Sequence, residues 1–286
     1  MITMSANDLN LAPNDARFLT SQLSTGVLIL TMNRPEKLNG WTLPMITAIR
    51  NAFQAAASAE KVQAVILTGS GHYYCAGVDL GGSLKLMHPK QLHHGIVELN
   101  QQLFETFIRF PKPLLIAVNG HAIGASVTSA TLADAIIAAD SATFLTPFAR
   151  LGVPAEGCSS VTFAKLLGAD NAARMLGAEG WQPSASEAKA IGLIQYQVAD
   201  EALMAEATAI ATAWVEQGKQ RLPLVDFAVD ELLAINQRES IAVANALLGA
   251  AFLKEQARFF ARKKKRALSL MFWILWGTRP IWSRLL

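Results

Sequence analysis

One carboxylate, Glu156, sits in the run LGVPAEGCSS (151–160) with no other charge beside it. Small and apolar neighbours withhold water from a carboxyl group and raise its pKa, as a general base working near neutral pH requires. The same residue also suits the start of a helix over CSSVTFAKLL, where the macrodipole favours negative charge. On the residues alone both readings stand. Two glycine-rich loops, GSGHYYCAGVDL (69–80) and NGHAIGAS (119–126), each follow an aliphatic run. Glycine lets main chain approach a ligand closely. Two such loops are able to aim one backbone N–H each at a single oxygen, forming an oxyanion hole; equally, they serve to turn corners. Neither contains the G-x-G-x-x-G of a dinucleotide site or the G-K-[ST] of a P-loop.

The remaining reactive side chains read more plainly. Cys75 and Cys158 are the only cysteines, and neither has a base at readable spacing, so both are expected to be small buried residues. There is no disulfide framework, and a reducing compartment is expected. His72, His93, His94 and His121 show no metal-ligand spacing, and no metal is expected. His121 is expected to pack or to bond a loop carbonyl, and Asp79 to order the first loop.

These loops need a frame. GVLILTM (26–32), VQAVILTGSG (62–71), LLIAVNG (114–120) and DAIIAAD (134–140) read as strands, with SATFLTP (141–147) a short fifth. LPMITAIRNAFQAAASAE (43–60) and HHGIVELNQQLFETFIRF (93–110) have helical apolar spacing. Continuous aliphatic strands alternating with helices imply an α/β fold with a sheet covered on both faces. After residue 160 the pattern is mostly helical, including the stretch over 241–265. The chain divides into an α/β core over 1–200, a helical region over 201–266 and an aromatic tail over 267–286.

Composition limits the function classes. The 286 residues are 52% hydrophobic and 16% charged, an apolar excess that points to subunit interfaces. The net charge is +3, with much of the basic character in the run Arg262-Lys263-Lys264-Lys265-Arg266, so nucleic-acid binding is not demanded. The first ten residues lack a basic n-region and an apolar h-region, so no signal peptide is expected. No apolar run reaches the ~18 residues of a spanning helix.

Taken together, the words of the sequence are specific. NRPEKLNGWT, AVILTGSGHYYCAGVDL and KPLLIAVNGHAIGASVTSATLADAIIAADSATFLTPFARLGVPAEGCSS resemble the enoyl-CoA hydratase/isomerase (crotonase) superfamily over roughly residues 17–266. Within it, ATFLTPFARLGVPAEGCSS is similar to the peroxisomal-type Δ3,Δ2-enoyl-CoA isomerases. The resemblance implies a crotonase-like spiral of repeated ββα units with a helical C-terminal region. It implies that the backbone N–H groups of Val78 and Ala125 hold a thioester oxygen. It also places Ala76, Gly77, Val78, Asp79, Leu80 and Gly124 at the substrate and its CoA moiety, with Lys37 and Leu38 weaker candidates for the same groove. Hydratases of the family use two glutamates, at positions that fall here on Thr128 and Phe148. The isomerase branch carries one, in a P-x-E-G turn, and that is Glu156. Phe148 and Val153 are candidates for the acyl pocket.

The activity that the resemblance implies is that of an isomerase of fatty-acid oxidation, moving the double bond of 3-enoyl-CoA to trans-2-enoyl-CoA. It needs no cofactor, since CoA arrives with the substrate. Rival readings are a hydratase-like or other crotonase-type reaction and a non-catalytic acyl-CoA-binding scaffold. A homotrimer or dimer of trimers is the family expectation. Beyond Ala267 the resemblance ends, and the basic run leads into LSLMFWILWGTRPIWSRLL. That tail is compatible with peripheral membrane attachment or with packing on its own or a neighbouring subunit. Its ending, RLL, is one residue off a peroxisomal-type SRL tripeptide, which makes that address doubtful; a bacterial source would make the chain cytoplasmic.

Overall fold

The computed structural model describes residues 15–79 and 88–286. Its aliphatic runs are strands buried on both sides. β1 (Leu19–Ser24) and β2 (Val27–Met32) form an antiparallel hairpin. Thr25 and Gly26, with φ of 48° and 83°, make the two-residue turn, whose positive angles match strand twist. After α1 (Leu43–Ser58) comes β3 (Ala64–Gly69), which pairs in parallel with β2. β4 (Tyr73–Cys75) leaves the plane of that sheet, and α2 (Pro89–Ile108) follows. The pattern then recurs as β5 (Leu114–Val118), β6 (His121–Ile123) and α3 (Ala125–Ala130). It recurs again as β7 (Ala135–Ala139), β8 (Thr143–Leu145) and α4 (Phe148–Leu151).

Each turn of this spiral sends one strand to a large sheet and the next to a small one. With β9 (Tyr196–Val198) the large sheet has the order β1-β2-β3-β5-β7-β9, and the small one is β4-β6-β8, parallel throughout. This is the ββα repetition that the resemblance implies. The three-residue strands β4 and β6 lie inside the two stretches read as loops. Such a strand is too short to display the alternation by which strands are recognised.

The large sheet is covered on both faces. Val65 and Leu67 of β3 join a core with Ile49 and Phe53 of α1 and Phe104 and Phe107 of α2. Their neighbours Ala64 and Ile66 point the other way. After α5 (Ser159–Leu167), α6 (Ala169–Leu176) and α7 (Ala185–Ala190), the helix α8 (Leu203–Glu216) closes that second face with Leu203, Ala207, Ala211 and Trp214. Their spacing makes one stripe along the helix.

The helical stretch over 241–265 falls on two helices. α9 (Val229–Leu247) starts well before residue 241 and packs along α2, and α10 (Ala250–Arg262) follows. Gly249 breaks the run with an extended backbone. A Cβ there would meet the Ala246 carbonyl oxygen at 2.9 Å. The tail folds as α11 (Arg266–Trp282), which doubles back on α10 around Leu253, Ala257, Phe260 and Phe272. Among the described residues, no helix is long and apolar enough to cross a membrane.

Candidate active site

The first glycine-rich loop is held by the loop that precedes α1. Asn39 is buried, with φ of 51°. Its Oδ1 accepts from the Arg34 N–H at 2.8 Å, and its Nδ2 donates to the Ser70 and Tyr73 carbonyls, each at 2.8 Å. The Trp41 N–H donates to Gly77 O at 2.8 Å, and the Asp79 N–H donates to Trp41 O at 3.0 Å. In this parallel bridge the N–H of Val78, the residue between, turns to the side away from Trp41.

The two loops touch at Gly77. Its φ is +84°, and a Cβ would lie 2.8 Å from the Ile123 carbonyl oxygen, so only glycine allows that approach. Ser126 ties the loops from beneath: its Oγ accepts from the Ile123 N–H at 3.0 Å and donates to Cys75 O at 3.2 Å. Ala125 is the first residue of α3, where a backbone N–H has no partner within its helix.

Glu156 occupies the turn between α4 and α5. The turn is pressed onto α2 and α3 at Gly157, whose φ is +69° and whose Cβ would meet Phe104 at 2.4 Å and the Thr128 hydroxyl at 2.6 Å. Cys158 then adopts a left-handed φ of 65° and opens α5. Two side chains from α9 and α2 hold this turn. Glu239 is buried, and its Oε2 and Oε1 accept from the Cys158 and Ser160 N–H groups at 2.6 and 2.9 Å. Asn100 donates from Nδ2 to Glu156 Oε2 at 2.6 Å, and Ser240 Oγ donates to Asn100 Oδ1 at 2.8 Å.

These elements enclose a cavity of about 340 Å³. Ala76, Gly77, Val78, Gly124, Ala125, Phe148, Val153 and Glu156 all lie on its wall, so most of the expected site residues meet in one place. Farther residues such as Leu92, Ile96, Leu247 and Phe252 make the remainder apolar. Among the described residues, Glu156 is the one ionisable side chain on the wall, and Asn100 is the one other side chain there that carries a hydrogen-bonding polar group. Glu156 retains partial access because it faces the cavity. Burial pushes its pKa up to about 7; the Asn100 hydrogen bond opposes that rise, and the nearby charge of Glu239 adds to it.

Some expected residues stand elsewhere. Lys37, Leu38 and Asp79 do not border the cavity, although Leu38 O accepts the Ala76 N–H at 2.9 Å. Leu80 lies outside the described residues. Thr128 is fully buried beneath Gly157, whereas Phe148 faces the cavity. His121 bonds the Thr143 hydroxyl at 2.7 Å rather than a carbonyl, with its ring against Tyr73. Burial raises the Cys75 and Cys158 thiols to about 12, which disarms both as nucleophiles.

Asn100, Glu239 and Ser240 were not anticipated. Each left a mark in the sequence: Asn100 falls in the apolar stripe of Ile96, Leu99, Leu103 and Phe104. Asn236, Glu239 and Ser240 fall in the stripe of Leu232, Ile235, Val243 and Ala244. A polar residue at a core position needs a buried partner.

A model of the family described as Enoyl-CoA hydratase/isomerase matches residues 22–266. The Rattus norvegicus protein named Enoyl-CoA delta isomerase 2 is 36% identical over 257 residues, covering 84% of this chain and 62% of the rat chain. The Mus musculus protein named Enoyl-CoA delta isomerase 3, peroxisomal, is 33% identical over 236 residues, covering 82% of this chain and 72% of its own. The chain thus spans less than two thirds of the rat relative. The crystal structure of an enoyl-CoA hydratase/isomerase from Pseudoalteromonas atlantica T6c is similar with a TM-score of 0.72 at 26% identity, covering 86% of this chain and 97% of that one.

Proposed function

We infer the activity from one premise: this chain belongs to the enoyl-CoA hydratase/isomerase family. We propose that it is an isomerase that converts 3-enoyl-CoA to trans-2-enoyl-CoA in fatty-acid oxidation. The observation that carries this reading is the solitary acid: among the described residues Glu156 is the one ionisable group on the wall, with Asn100 the one other polar side chain there.

The reaction removes a proton from C2, shifts the electrons of the C3–C4 double bond through a dienolate, and returns a proton to C4. A thioester α-proton is a very weak acid, so the enolate oxygen must be stabilised as charge develops. The N–H groups of Val78 and Ala125 are the proposed donors, and losing one such donor typically lowers the rate about 100- to 1000-fold. Glu156, with a pKa of about 7, is well matched to abstracting a proton near neutral pH and giving it back. Asn100 holds Oε2, which leaves Oε1 to swing between the two carbons. The apolar walls keep water from the dienolate.

Hydration is the poorer fit. It needs a water positioned and activated, the task of two acids, and the family resemblance puts Thr128 and Phe148 at those positions. The CoA moiety is proposed to lie along residues 76–79 and toward Lys37 and Leu38, with the acyl chain directed between α2 and α9. The test is turnover of 3-enoyl-CoA measured beside hydration of 2-enoyl-CoA. Isomerisation that Glu156→Gln lowers by about 100- to 10,000-fold supports the reading. Full turnover by that variant, or hydration as the faster reaction, overturns it.

A further inference from the structure

The end of the chain is charged unlike the rest. Residues 250–286 hold nine lysine and arginine side chains and one glutamate, a net +8, against +3 for the whole chain, which leaves −5 on residues 1–249. Arg262, Lys263, Lys264, Lys265 and Arg266 are all exposed, at the turn from α10 into α11.

From this turn α11 presents two different faces. Phe272 is buried against α10, its ring stacked on Phe260 at 5.4 Å, and the Arg279 Nε donates to Leu248 O at 2.8 Å. The opposite side carries Leu270, Trp273, Ile274 and Ile281, at the spacing of one helical stripe. Leu270, Ile274 and Ile281 are 61%, 52% and 74% exposed, which puts their side chains outward. The inner face already pins the helix, so the outward stripe is ordered before anything covers it.

We propose that the α10–α11 hairpin docks on an anionic membrane surface, with α11 lying in the plane of the interface. The stripe would enter the headgroup boundary, and the cationic turn would meet lipid phosphates and carboxylates. An in-plane helix needs an apolar face beside basic residues, not a span, and tryptophan is favoured at that depth. Charge argues against a like-with-like contact between copies, since two +8 ends repel. The same hairpin supplies Phe252 to the cavity wall, so docking brings that wall close to the lipid surface. This inference does not rest on the proposed reaction.

The test is co-sedimentation of the full chain with vesicles of phosphatidylcholine, with and without about one third phosphatidylserine. The expected result is binding to the anionic vesicles, weakened by salt, with a blue shift of tryptophan fluorescence. Each lysine neutralised among 263–265 should lower affinity about fivefold. Leu270→Glu with Ile274→Glu should abolish the fluorescence shift, without changing the thermal midpoint or the mass in solution. Absence of binding to anionic vesicles overturns the proposal. So does a drop in oligomeric mass in the Leu270→Glu, Ile274→Glu variant, which would assign the stripe to a second copy.

Discussion

The carboxylate of Glu239 accepts the N–H of Cys158 at 2.6 Å, two residues beyond Glu156. A residue on α9 therefore fixes the backbone from which the candidate base projects, and its charge acts on that base as well. Glu239 is itself raised above its ordinary value by burial, while the two backbone N–H groups favour its ionised form.

Glu239→Gln keeps one oxygen for the N–H groups and removes the charge. With that repulsion gone, Glu156 ionises more readily, so the acid limb of the kcat/KM profile should move to lower pH. The lost cap should lower stability by about 1 kcal/mol. A pH profile and a denaturant melt read both effects, and an unmoved acid limb would show that the two carboxylates do not communicate.

Asn100→Ala should move the same limb the opposite way. Its hydrogen bond favours the charged form of Glu156, so its loss raises the pKa further. A hydrogen bond to a charged group is worth about 1.5–3 kcal/mol, which corresponds to roughly a 10- to 100-fold fall in kcat at neutral pH. Opposite shifts from Asn100→Ala and Glu239→Gln are the signature to look for.

Glu156→Gln should make the protein more stable while making it inactive. The folded carboxyl has a pKa of about 7 against an ordinary 4.5. Between those values the folded state binds more protons than the unfolded one, so wild-type stability falls as pH rises through that window. The glutamine variant escapes the loss. It should exceed wild type by about 3 kcal/mol above pH 7, and the gap should close as pH drops toward 4.5. Thermal melts at several pH values check this.

Arg221→Ala should be costly far from the cavity. Arg221 pairs with the buried Asp134, whose Oδ2 also accepts the Leu114 N–H at 2.8 Å. Removing one member of a buried pair strands the other, typically for about 3–5 kcal/mol. Urea unfolding measures it, and a loss below about 1 kcal/mol would mean that water reaches Asp134.

The readable parts of the sequence were those where one physical signal dominates. Long aliphatic runs marked β2, β3, β5 and β7 because both their faces are buried. Glu156 was legible because no other charge shares its stretch. Its partners were not, because Asn100 and Glu239 are distant in sequence, and only packing α9 against α2 brings them to the turn. The break at Gly249 was hidden within a continuous helix-forming run, where one glycine looks like a small penalty rather than a stop.

The position of α8 carries a consequence for how the chain is made. Val27, Ile66, Leu115 and Ile137 wait for Trp214 and its helix to arrive. Until roughly residue 216 has left the ribosome, one side of the large sheet has nothing to lie against. A nascent chain stalled before that point would display a broad oily plate, the sort of surface on which chaperones settle and aggregates begin.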